Sequence, residues 1–106
     1  MAATGALLHA AGLRERVMID CSHANSSKQH LKQIEVAQDV AAQVAAGDAR
    51  IMGVMIESHL HEGRQDIVAG QPLKHGVSVT DACVGFEQTV PVLRTLADAV
   101  RARRAT

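Results

Sequence analysis

The sequence has almost no aromatic residues. Phe86 is the only one in 106 residues, and Trp and Tyr are absent, although 47% of the chain is apolar. The core must therefore be built from Ala, Val, Leu, Ile and Met, whose side chains bury modest areas. A chain of this length leaves room for one hydrophobic core at most. We therefore expect one domain or less.

The chain also lacks a net charge. Eleven basic and eleven acidic residues cancel, which argues against the broad basic surface of a nucleic-acid-binding protein. The only basic cluster, from Arg101 to Arg104, is expected to be a solvated helix end, where cations face the negative end of the helix dipole.

Long apolar runs are missing as well. No stretch approaches the roughly 18 consecutive apolar residues of a membrane-spanning helix, and no cationic region precedes the apolar stretch Ala6 to Leu13, as it would in an export signal. Cys21 and Cys83 are therefore expected to be free thiols rather than a disulfide. The sequence predicts a soluble, cytoplasmic protein that binds neither membrane nor nucleic acid.

The predicted elements follow the order of an α/β fold. Ala6 to Ala11 are typical of the last turns of a helix ended by Gly12. Val17 to Asp20 and Ile51 to Ile56 have the length and unbroken apolar character of buried parallel strands. Between them an amphipathic helix is predicted from Ser26 to about Ala46. Strand, helix and strand with short connections form a βαβ unit, whose strands are parallel.

The helix faces are also predicted. The stripe expected to be buried on the central helix contains Leu31, Ile34, Ala37, Val40, Ala41 and Val44. Residues 58–80 are interrupted by glycines and predict a long loop, with a hairpin inside it as the alternative. The last helix is expected to have Thr89 as its cap and Pro91 in its first turn. Its predicted buried stripe contains Leu93, Leu96 and Val100.

Polar side chains follow both predicted strands. After the first strand come Asp20, Cys21, Ser22 and His23, and after the second come Glu57, Ser58 and His59. Because parallel strands end at one edge of the sheet, His23 and Glu57 should face the same space, and the following loop brings Asp81 within reach. An imidazole with carboxylates suits a divalent metal. The alternative is that His23 caps a helix and Glu57 pairs with a surface cation.

Three blocks of sequence carry a resemblance. Met18 to Lys28 reads MIDCSHANSSK, Gly53 to Leu60 reads GVMIESHL, and Ser78 to Glu87 reads SVTDACVGFE. In order and spacing they resemble motifs of the class I 3-deoxy-7-phosphoheptulonate (DAHP) synthases. The resemblance runs from about Leu7 to Arg104.

The resemblance implies a fold and an activity. Class I DAHP synthases are (β/α)8 TIM barrels that condense phosphoenolpyruvate with erythrose 4-phosphate, the first step of aromatic amino-acid biosynthesis through the shikimate pathway. They are transferases that need a divalent metal, such as Mn, Fe, Zn or Co. By this resemblance His23, Glu57 and Asp81 are metal ligands and catalytic residues, and the metal polarises the aldehyde oxygen as a Lewis acid.

Two features of the family have no counterpart in residues 1–106. One is the fourth metal ligand, a cysteine early in the barrel, and the other is the K-P-R-T segment. The resemblance therefore makes residues 1–106 a single partial domain, the C-terminal βαβα portion and about a quarter of the barrel. We expect this fragment to be inactive alone. Two other interpretations stay open: a non-catalytic metal-binding or interaction module, and one piece of a split barrel. Its expected partners are the two substrates in the complete enzyme, and further copies of the chain or the missing upstream barrel piece.

The sequence also gives predictions for other cysteines, histidines and cations. Cys83 either lies near the metal or is a small buried hydrophobe. His59 is expected to orient the site, whereas His61 and His75 are expected on the surface. No phosphate-binding role is assigned from the family to the cations Lys28, Arg50, Arg64 and Lys74.

Overall fold

A computed structural model describes residues 1–26 and 29–105. Ser27 and Lys28, which belong to the first sequence block, lie outside the described residues. The elements in chain order are α1 (Ala2–Ala10), β1 (Val17–Asp20), α2 (Lys32–Ala45), β2 (Ile51–Met55), β3 (Ser58–His59), β4 (Val84–Gly85) and α3 (Phe86–Arg104), with a 3-10 turn at His23–Ser26. Within the described ranges no helix is long and apolar enough to cross a membrane.

The two central strands pair in parallel, as predicted. Val17 is opposite Ile51, and the register shifts so that Met18 is opposite Gly53 and Asp20 is opposite Met55. The backbone N–H of Cys21 donates to the carbonyl of Met55 at 2.9 Å, which adds one bond beyond β1. Both strands therefore end at the same edge, with α2 as the crossover between them.

The core lies where α2 and α3 pack on each other and on the strands. One buried cluster contains Val40, Ala41, Val44, Ile51 and Ala99, and a second contains Cys21, Ala37 and Val92. Most of these side chains are small, which lets the helices approach closely. The single aromatic side chain, Phe86, is exposed and contributes to neither cluster.

Helix α2 begins later than predicted. The N–H of Gln29 donates to Ser26 O, and the N–H of Lys32 donates to Gln29 O, both at 3.0 Å. These turns precede the helix, which starts only at Lys32. Leu31 is consequently 49% exposed at the helix N-terminus, so its predicted burial is wrong. Ala37, Val40, Ala41 and Val44 are buried as predicted.

Helix α3 begins earlier than predicted. It starts at Phe86, because the side chain of Gln88 accepts a hydrogen bond from the Gly85 N–H at 2.8 Å and so caps the end that Thr89 was expected to cap. Pro91 therefore falls in the second turn rather than the first. The packed face is shifted too: Val92 and Ala99 are buried, while Leu93 is 55% exposed.

The long connection between β3 and β4 folds back on itself. β3 and β4 pair in parallel, Gly63 forms an antiparallel bridge with Cys83, and Arg64 forms a parallel bridge with Ser78. The Gln65 side chain donates to the carbonyls of Lys74 and Val77 at 2.7 and 3.0 Å. These contacts hold the segment that precedes β4 beside the end of β2.

The contribution of the core can be tested at adjacent positions of β2. Ile51 is buried and Met52 is 66% exposed. Ile51→Val should lower the free energy of unfolding by about 1 kcal/mol, because it removes a buried methylene. Met52→Val should change it by less than about 0.5 kcal/mol. Urea unfolding followed by circular dichroism measures both, and equal losses would contradict this assignment of the core.

Candidate metal site

Three side chains from distant parts of the sequence meet at the carboxyl edge of the central strands. His23 follows β1, Glu57 follows β2, and Asp81 precedes β4. His23 Nε2 lies 3.1 Å from Asp81 Oδ2 and 3.9 Å from Glu57 Oε2. One ligand atom of each residue lies within 4.8 Å of the others, a spacing at which one ion could contact all three.

The His23 ring is oriented by neighbours in sequence. Its Nδ1 donates to Asp20 Oδ2 at 2.9 Å, and Asp20 Oδ1 accepts the Ser22 N–H at 2.7 Å and the Ser22 hydroxyl. A proton on Nδ1 leaves Nε2 as the nitrogen directed at the carboxylates. This is the arrangement in which an outer carboxylate sets the tautomer of a metal-binding imidazole.

The backbone of His23 is unusual. Its φ is 50°, which makes it the only non-glycine residue with positive φ among the described residues. This left-handed conformation is disfavoured for side chains with a Cβ and is held only where surrounding contacts determine it. Asn25 supplies one such contact, because its side-chain amide donates to Asp20 O at 2.6 Å.

The site concentrates negative charge around one imidazole. Hydrogen bonds to Asp20 and then to Asp81 raise the pKa of His23 above its ordinary value. Burial, followed by the nearby Asp81 carboxyl, raises the pKa of Glu57, and His23 partly offsets this. Hydrogen bonds from Ser22 and His23 lower the pKa of Asp20. The site therefore favours an added positive charge, which a proton or a metal cation can supply.

A cavity of about 400 Å³ opens over these side chains. Its wall also contains His30, Gln33 and Arg64, whose positions the sequence did not predict. The Arg64 guanidinium donates to Thr80 O at 3.0 Å and to Asp66 Oδ1 at 2.7 Å, and His30 Nε2 lies 3.2 Å from Glu62 Oε2. Of these three residues, only Arg64 was singled out in the sequence, as a cation with no role assigned from the family.

The remaining predicted residues lie beside or away from this cavity. Cys83 is buried, its thiol contacts Asp81 O at 3.4 Å, and burial raises its pKa. Cys21 is fully buried, and both cysteines are free thiols. His59 is exposed and its Nδ1 accepts the Leu60 N–H, while His61 and His75 are also exposed.

Two of the other candidate cations, Arg50 and Lys74, do not line the cavity. Arg50 pairs with Asp48 at the opposite end of β2, where Nε and Oδ1 are 2.9 Å apart. Lys74 is exposed in the long connection, and Lys28 lies outside the described residues.

Comparison with known proteins identifies the family. The sequence pattern of the DAHP synthetase I family matches residues 1–94. The chain belongs to this family. The match includes all three side chains of the candidate metal site and so agrees with the resemblance found in the sequence.

Individual members of the DAHP synthetase I family are close in sequence. The Phe-sensitive phospho-2-dehydro-3-deoxyheptonate aldolase of Escherichia coli strain K12 is 58% identical over 97 residues, and the tyrosine-inhibited enzyme of Schizosaccharomyces pombe is 59% identical over 101. Each alignment covers 92% of this chain, but only 28% and 27% of those proteins. The chain therefore spans little more than a quarter of their length.

A solved structure agrees with the fold. The phospho-2-dehydro-3-deoxyheptonate aldolase of Francisella tularensis SCHU S4 superimposes with a TM-score of 0.87 at 52% identity. The superposition covers 92% of this chain and 28% of that one. The α/β arrangement of this DAHP synthetase I family member is therefore similar to a segment of the solved relative.

The role of Asp20 can be measured directly. Asp20→Asn should lower the pKa of His23, because Asp20 makes the largest contribution to raising it. His23 stabilises the metal-free fold below its ordinary pKa of 6.5, and this contribution is lost as the pH rises through the raised value. Asp20→Asn should therefore weaken the excess stability at low pH. Titration of the histidine ring by NMR gives the pKa, with Asp39→Asn on exposed α2 as the control. An unchanged His23 pKa would show that Asp20 does not control it.

Proposed function

We propose that the chain is the metal-binding C-terminal part of a DAHP synthase, which condenses phosphoenolpyruvate with erythrose 4-phosphate. The convergence of His23, Glu57 and Asp81 on one cavity is the observation that carries this proposal. Membership of the DAHP synthetase I family supports the reaction and its place in aromatic amino-acid biosynthesis. Residues 1–106 then form one partial domain, the last two βα units of a (β/α)8 barrel.

The donor set fits a divalent metal. One imidazole nitrogen and two carboxylates are ligands that Mn, Fe, Zn and Co accept in proteins. Without a cation, burial and then the neighbouring Asp81 carboxyl raise the pKa of Glu57, so both disfavour its charged form. When bound, the metal would act as a Lewis acid on the aldehyde oxygen of erythrose 4-phosphate. Asp20 would orient the His23 ring for metal binding. Cys83 would pack against the Asp81 backbone and would not bind the metal.

Two phosphorylated substrates also need positioned cations. In the described part of the cavity wall, Arg64 is the one arginine or lysine, and Thr80 and Asp66 already accept its hydrogen bonds. Orienting two reactants can account for about 7–11 kcal/mol of a bimolecular barrier. We therefore propose that the chain contributes metal binding and that further cationic groups of a complete enzyme contribute orientation.

Exposed apolar side chains on the central strands support a larger barrel. Met18 is 63% exposed and Met52 is 66% exposed, although both lie on strands. A two-stranded sheet leaves both edges unpaired. We propose that further barrel strands pair with these edges and cover the exposed methionines. An upstream piece of the same enzyme would supply these strands or, in the alternative of a split barrel, a separate chain would. Self-association into a homo-oligomer would cover the methionines in a third way. The free thiols of Cys21 and Cys83 favour a cytoplasmic location.

The metal site gives a first prediction for this function. The purified chain should bind one Mn²⁺ ion, and His23→Ala should weaken binding at least about tenfold, because it removes the nitrogen ligand. Isothermal titration calorimetry measures the affinity. His75→Ala, which changes an exposed histidine outside the cavity, is the matched control. Tight Mn²⁺ binding that survives His23→Ala would refute the ligand assignment. Tight binding by a chain that stays inactive with every upstream piece would favour the non-catalytic module.

The reaction gives a second prediction. The chain alone should form no heptulosonate phosphate from the two substrates, since metal polarisation does not replace substrate orientation. Joined to the upstream barrel of a relative, it should become active. In that enzyme Glu57→Ala or Asp81→Ala should lower kcat at least about a hundredfold while the circular dichroism spectrum is retained. Product formation by the isolated chain that disappears in His23→Ala would contradict the requirement for an upstream piece.

A further inference from the structure

Gln33 is the most deeply buried polar side chain near the site. It lies on α2 and is 1% exposed. Its Oε1 accepts the Glu57 N–H at 2.8 Å, and its Nε2 donates to Glu57 O at 3.2 Å and to His30 O at 3.3 Å. One side-chain amide therefore binds both backbone polar groups of a proposed metal ligand.

The position of Glu57 explains why these bonds matter. β2 ends at Met55 and β3 begins at Ser58, so Glu57 lies between two strands, where β1 no longer pairs with it. The Gln33 amide takes the place of a neighbouring strand, because it offers one acceptor and one donor to the same residue. Glu57 O also accepts the Val84 N–H at 3.0 Å. The Glu57 backbone is thus joined to α2 on one side and to β4 on the other.

We propose that Gln33 is a positioning residue of the metal site, which sets the direction of the Glu57 carboxylate by holding its peptide groups. The inference rests on the proposed function, since it assumes that Glu57 binds metal. It also links two ligands, because Val84, which shares Glu57 O with Gln33, follows Asp81 by three residues in the chain. Displacement of the Glu57 backbone would alter the distance between its carboxylate and that of Asp81.

Only a carboxamide meets all of these requirements. Both Nε2 protons of Gln33 have acceptors and Oε1 has a donor, so every polar atom of the side chain is used. Methionine has similar length and volume but supplies none of these bonds. A glutamate retains the acceptor, lacks the two donors and adds a negative charge beside a site already rich in carboxylates.

The test compares two glutamines of one helix by titration with Co²⁺, whose visible absorption reports ligand number and geometry. Gln33→Met in the 106-residue chain should weaken Co²⁺ binding roughly tenfold or more, in the range seen when outer supports of metal ligands are removed. The absorption bands of the bound ion should also change. Gln38→Met, on the exposed side of α2, should leave both unchanged. Circular dichroism establishes that each variant is folded.

The outcomes separate this inference from the proposed function. If Gln33→Met binds Co²⁺ with unchanged affinity and spectrum while His23→Ala does not bind, Gln33 has no positioning role and the metal site stands. If the unsubstituted chain binds no Co²⁺, both proposals are wrong. If Gln33→Met fails to fold, NMR of the unsubstituted chain decides: Zn²⁺ should shift the side-chain amide signals of Gln33 but not those of Gln38. Unshifted Gln33 signals on Zn²⁺ binding would overturn the inference.

Discussion

The parallel pairing of β1 with β2 is the constraint on which the candidate site depends. Because the strands run in the same direction, with Asp20 opposite Met55, the residues that follow them emerge at one edge. His23 and Glu57 are far apart in the chain and would be separated by an antiparallel arrangement. The crossover helix α2 stabilises this pairing from one face and also contributes Gln33, so one helix supports both the sheet and the Glu57 backbone.

The electrostatics of the site follow from this geometry. Asp20, Glu57 and Asp81 surround His23, and the imidazole cannot neutralise all three carboxylates. The metal-free fold responds by favouring protonation of His23 and Glu57. A divalent cation would replace those protons, so metal affinity and pH should be coupled. The strained backbone at His23 is consistent with a position determined by the site rather than by local preference.

Small side chains make up much of the buried core between α2 and α3. Ala37, Ala41 and Ala99 allow α2 and α3 to pack closely, but they bury little area each. Large apolar residues such as Met18, Met52 and Phe86 are meanwhile exposed. Exposed side chains of this size are the surface that further barrel strands would cover in the proposed complete enzyme. This exposure accords with a chain that spans about 28% of relatives such as the Escherichia coli enzyme.

The sequence by itself determined the βαβ order, the parallel strands, the family and the three side chains that meet at the strand edge. These features depend on local apolar runs and on motifs whose residues are adjacent in the chain. Only the tertiary structure decided the helix ends, the exposure of Leu31 and Leu93, and the hydrogen-bond partners of Gln33 and Arg64. Helix starts depended on competing bonds, such as that between Gln88 and Gly85, and helix faces depended on what packs against them. Gln33 carries no local signal, because its hydrogen bonds are made to the Glu57 backbone, which belongs to another part of the chain. Side-chain periodicity cannot reveal such a contact.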